Sequence, residues 1–104
     1  RLEWRTDAVL NTRYKVFVQL LNTGGVLMAQ RDSEPAGNSQ PTTAWQSDQS
    51  ILDQHGLALP IDLPAGNYQI IVGLYNIDDP NQRLTAAGKT YVSLGWITLI
   101  DPTN

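Results

Sequence analysis

Few residues in this 104-residue chain are equipped for chemistry. His55 is the single histidine, and Asp53 stands two places before it. A histidine-based nucleophile system needs a serine or cysteine within reach and an acid behind the ring. Asp53 and several serines are present, but there is no Gly-x-Ser-x-Gly elbow and no cysteine. His55 therefore reads as an ordinary polar residue at the start of a strand, and no catalytic residue is assigned. One histidine without cysteines also argues against zinc, whose structural sites are built mainly from those two residues. Paired carboxylates occur at Asp32 and Glu34 and at Asp78 and Asp79. Glycosidic cleavage needs two carboxyl groups set across a cleft, which a chain of this size rarely builds. Asp78-Asp79-Pro80 has the composition of a turn, where Asp bonds its own backbone. Calcium accepts carboxylate and carbonyl ligands from loops, so these oxygens are candidate ligands for it on type alone. No metal or other cofactor is expected.

The tryptophans separate by context. Trp4 shares a strand face with Leu2, and Trp96 alternates with Thr98 and Ile100, so packing is expected of both. Trp45 lies in a polar stretch between Ala44 and Gln46 with no apolar period around it. Two roles fit it. Its ring could stack on the apolar face of a sugar, with Asp32 and Gln46 holding hydroxyls. Alternatively it anchors the loop, since ordering so long a loop calls for a buried side chain. Trp45, Asp32 and Gln46 are the candidate ligand-binding residues. Arg31 and Asp32 are expected to form an ion pair at the loop stem.

The elements that must position these residues follow a period of two. Tyr14 to Leu21 places Val16, Val18 and Leu20 on one face, and Tyr68 to Asn76 does the same with Tyr68, Ile70, Val72 and Leu74. Leu2 to Arg5 reads as a short first strand. Asn22-Thr23-Gly24-Gly25 is a tight turn that returns the chain as a strand over Val26 to Arg31. Asp32 to Ser50, with Pro35, Pro41 and Gly37, reads as a long loop. Ile51 to Ile61 reads as a strand, Leu63 to Asn67 as a turn, and Arg83 to Thr85 as a short edge strand. Thr90–Leu94 and Trp96–Ile100 read as two last strands divided by Gly95. About seven or eight short strands with no long helical stripe predict an all-β antiparallel sandwich, immunoglobulin-like or jelly-roll-like.

Composition sets the outer limits. Hydrophobic residues make up 41% and charged residues 16%, enough apolar content for a single folded domain over 1–104. The net charge is −3 and the seven basic residues are scattered, which argues against nucleic acid as a partner. No apolar run is long enough to cross a bilayer, and no export signal is visible. A start at Arg1 instead of Met suggests a piece of a longer protein.

Five phrases occur here in one order: Tyr14-Lys15-Val16-Phe17-Val18-Gln19-Leu20, Gln30-Arg31-Asp32-Ser33-Glu34-Pro35, Pro41-Thr42-Thr43-Ala44-Trp45, Leu63-Pro64-Ala65-Gly66-Asn67-Tyr68, and Gly73-Leu74-Tyr75 followed by Arg83-Leu84. The set resembles the C-terminal soluble β-sandwich module of bacterial membrane glycosyltransferases of the protein-mannosyltransferase-like class. The resemblance spans nearly the whole chain. It departs at Gln19, where that family has His. It implies a non-catalytic accessory domain on the extracytoplasmic face of a bacterial membrane, joined to a membrane-embedded remainder. Glycan or lipid-linked sugar would be its ligand. The alternative is a structural or protein-interaction sandwich with no small-molecule ligand.

Overall fold

The computed structural model describes residues 1–85 and 88–100. Seven strands run through them: β1 (Leu2–Trp4), β2 (Tyr14–Leu21), β3 (Leu27–Ser33), β4 (Ile51–Asp53), β5 (Gly66–Asn76), β6 (Asp79–Arg83) and β7 (Val92–Leu99). A single 3-10 turn spans Thr42–Ala44, and no helix is long and apolar enough to cross a membrane. The strands form two packed antiparallel sheets, β1-β4 and a five-stranded sheet in which β3, β2 and β5 lie side by side. Both β6 and β7 pair with β5, along successive lengths of it. This is the small antiparallel β-sandwich expected from the alternation.

The alternation of β2 and β5 builds the core. Their register is unbroken from Tyr14↔Asn76 to Leu21↔Gln69. Val16 therefore faces Leu74, Val18 faces Val72 and Leu20 faces Ile70 on the inner side. Val16, Val18, Val72 and Leu74 form the buried cluster, and Leu2, Trp4, Tyr14, Leu57, Ile70 and Leu84 pack around it. Ile70 is only half-buried, because it lies next to β7, which the small sheet leaves open.

The outer side also buries large side chains, Phe17 and Ile71. Phe17 is 1% exposed although it points away from the small sheet. Its ring lies over Gly73, the one β5 position where a side chain would collide with it. The Arg83 guanidinium caps the ring at 4.6 Å and Tyr75 leans on it at 6.4 Å.

Turn chemistry is local and satisfied. In the β2-β3 turn the Asn22 side-chain oxygen accepts the amides of Gly24 and Val26, and Gly25 takes φ +78°. Before β5, the Tyr68 hydroxyl donates to the Pro64 carbonyl at 2.5 Å. A tyrosine bonded to backbone just upstream at the start of a strand is the tyrosine corner of Greek-key sandwiches.

Several boundaries differ from the sequence reading. β3 continues to Ser33, past the expected end at Arg31. β4 stops at Asp53 and does not reach Ile61. Leu59 and Ile61 alternate, yet both are exposed and Pro60 interrupts them, so the pattern has no sheet to face. The edge strand after the β5 turn is Asp79–Arg83, several residues earlier than Arg83 to Thr85. The two expected last strands are one bulged strand. Leu94 is the extra residue between Ile70↔Gly95 and Ile71↔Ser93, and Gly95 absorbs the bend at φ +120°.

Candidate functional site

Three places gather polar or aromatic side chains. The first is inside. Asp53 ends β4 and is fully buried. Its Oδ1 accepts the Ala36 amide at 2.8 Å. Its Oδ2 accepts the Trp4 indole N–H at 2.9 Å and lies 2.6 Å from His55 Nε2. The indole and the imidazole thus converge on the same oxygen, Oδ2. The His55 side chain is 5% exposed and its Nδ1 has no hydrogen-bond partner among the described residues. His55 thus sits beyond β4 as part of a buried bracket, where the sequence suggested an ordinary polar residue at a strand start. The pair has the acid and imidazole of a triad, but no hydroxyl meets the second nitrogen among the described residues. The bracket ties β1, β4 and the turn after β3 together.

The second place is the stretch holding the candidate ligand-binding residues. Trp45 is 4% exposed, and its indole N–H donates to the Gln40 carbonyl at 2.9 Å. Its ring lies over the inner side, lining a cavity with Trp4 and Val72. Asp32 lies in β3 and not in a loop, opposite Phe17 on the outer side, and accepts the Tyr75 hydroxyl at 2.7 Å. Gln46 is exposed, and its backbone N–H donates to Gln49 Oε1. Trp45 and Asp32 are thus on opposite sides of the large sheet. The expected Arg31–Asp32 pair does not form, because neighbours on a strand face opposite ways. Arg31 reaches the Gly56 carbonyl instead, at 3.4 Å. The stem is held by Arg13, which grips both oxygens of the buried Glu34. That double hydrogen bond, together with the Glu34 charge, raises the Arg13 pKa.

The charges of the outer side alter one tyrosine. Burial first, then the hydrogen bond to Asp32 and its charge, push the Tyr75 phenol up to about 12. The Asp78-Asp79 pair is turn chemistry: Asp78 N–H bonds Asn76, and Asp79 accepts the Asn81 amide. No group of three or more metal-ligating side chains occurs among the described residues.

The third place is the outer face of β5 and β7. Trp96 is 56% exposed and stands opposite Gln69. Gln69 is held by a hydrogen bond to Ser93 Oγ at 2.8 Å. Beside it the Thr98 hydroxyl donates to Asn67 at 2.8 Å, and Gln19 and Gln30 face each other across β2 and β3. An exposed indole is therefore set on a rigid sheet among amides and hydroxyls. The sequence reading expected Trp96 to pack with Thr98 and Ile100, and its exposed ring corrects that expectation. The signal was the polar set Asn67, Gln69 and Ser93 on the neighbouring strand positions, visible only once the register is known.

Comparison of the chain with protein-family models, curated proteins and solved structures returns no match.

Proposed function

We propose that this chain is a non-catalytic accessory module that binds carbohydrate on the outer face of its large sheet. The observation that carries the reading is Trp96, half exposed over Gln69 with Asn67, Ser93 and Thr98 around it. A planar ring covers the C–H face of a sugar while amides and hydroxyls hold its oxygens. Strand-borne side chains hold their spacing, which favours a repeating chain over a single sugar. The five phrases that resemble the glycosyltransferase-associated module support a place beside a membrane-embedded enzyme on the extracytoplasmic side. In that setting the ligand is a glycan or a lipid-linked sugar.

Trp45 carries less of this reading than its sequence context suggested, because its ring is buried and its indole N–H is already bonded. The test is a nuclear magnetic resonance titration with cellohexaose, mannohexaose and maltohexaose. At least one should shift the Trp96 indole and Gln69 side-chain signals, with affinity on the order of millimolar. Trp96→Ala should abolish the shifts and leave the thermal midpoint unchanged. Silence from all three sugars at saturating concentration defeats the carbohydrate reading.

A further inference from the structure

The inner side of the large sheet is only half covered. β4 lies toward β3, where Asp53 meets Ala36 and Arg31 meets Gly56. β1 lies over β2 and β5, with Leu2 and Trp4 on the core cluster. Toward the start of β7, Val92 and Leu94 are left exposed. The result is a groove between β1 and β7. Two cavities of about 170 Å³ each make it up, and they meet at Val72. Trp4 and Trp45 stand on one wall of the first, Tyr91 and Val92 on the other. Leu2 faces Leu94 across the second. Val92, Leu94 and Tyr91 are 39%, 53% and 44% exposed.

Two features say what fits there. The first is backbone. β1 pairs with β4 alone, so its other edge, along the groove, carries unpaired N–H and C=O groups. An unpaired edge beside an apolar trough is a template for an added strand. A strand's alternation would place every second side chain on Val72, Leu94 and the tryptophans, and the others toward solvent. The second is charge. Arg1, Arg5 and Lys89 line the two cavities and, among the described residues, no carboxylate does, in a chain of net charge −3. The nearby Glu3 meets Arg5 only at 3.7 Å and in solvent, so it offsets little of this charge.

We infer that the groove between β1 and β7 accepts an extended partner peptide of alternating apolar and acidic residues, which completes the small sheet as its third strand on β1. This surface is opposite the Trp96 face and independent of the carbohydrate reading.

The test uses two synthetic peptides, one alternating valine with glutamate and one alternating valine with lysine. The glutamate peptide should bind at least tenfold more tightly and slow hydrogen exchange of amides in Leu2–Trp4. Leu94→Ser, at an exposed position, should weaken binding at least tenfold without lowering the thermal midpoint. Trp96→Ala should leave peptide binding unchanged, which separates this site from the sugar face. Absence of binding, equal binding of the two peptides, or indifference to Leu94→Ser overturns the inference. Protection of β1 that rises with concentration of the protein alone overturns it too, by assigning the groove to a second copy.

Discussion

Trp4 and Asp53 are 49 positions apart, and the indole of one donates to the carboxylate of the other at 2.9 Å. The bond fastens β1 to β4 at their ends, where the backbone ladder is only three pairs long. Two strands of three residues are marginal by themselves. Their persistence rests on this side-chain bracket and on Leu2 and Trp4 packing against the large sheet.

Asp53→Ala should therefore be severe. It strips a partner from the Trp4 indole, the Ala36 amide and His55 at once, all around a fully buried position. Breaking a buried charged network leaves its donors unpaired, and about 3–5 kcal/mol is expected. Asp53→Asn keeps the shape and should cost less. Urea unfolding of the two variants checks both. Equal loss from them would show that the carboxylate itself, and not its shape, holds the bracket.

Trp45→Ala tests the loop anchor. The indole is buried and bonded to Gln40, so truncation should cost about 3–5 kcal/mol. Thermal or urea unfolding measures it. A variant of unchanged stability would contradict the packing.

Phe17 and Gly73 form a lock-and-space pair. A Cβ on Gly73 would meet Phe17 ring carbons at 2.4 Å and the Thr90 carbonyl at 2.9 Å. Gly73→Ala should destabilise by about 1–3 kcal/mol through overpacking. Phe17→Leu beside it should recover part of that loss, since it removes one of the two collisions. Strict additivity in the double-mutant cycle would show that the two positions do not share the strain.

The strands legible from sequence were those with a sheet on one side and long alternation. Tyr14–Leu21 and Tyr68–Asn76 satisfy both conditions, and β2 and β5 follow them closely. Ile51 to Ile61 also alternates, but only Ile51 to Asp53 finds a pairing strand. Period two reports which residues share a face, not whether a face exists. Gly95 looked like a strand end because a glycine breaks local patterns, whereas here it bends one strand through a bulge. The Asp53–His55 bracket was illegible for a different reason. A polar residue is buried only when distant partners satisfy it, and Trp4 and Ala36 are distant in sequence. The place of Trp96 on an open face likewise depends on the β5-β7 register, which sets it opposite Gln69 on the side away from the small sheet.

Tyr75 offers a check by pH. Its phenol is pushed up to about 12 by burial and by Asp32, above the value of about 10 for a free tyrosine. The folded state thus holds this proton more tightly than the unfolded state does. By linkage, the stabilisation is fully present below about pH 10 and is lost as pH rises from there toward about 12. Absorbance titration of phenolate should show a late component near the top of that window, absent in Tyr75→Phe. Asp32→Asn removes the negative charge beside the hydroxyl but leaves the burial, which is the larger cause. The late component should then move down only part of the way toward the free value. A complete return would mean that Asp32 alone holds the proton, and that the outer side of the sheet is wetter around Tyr75 than its packing against Phe17 implies.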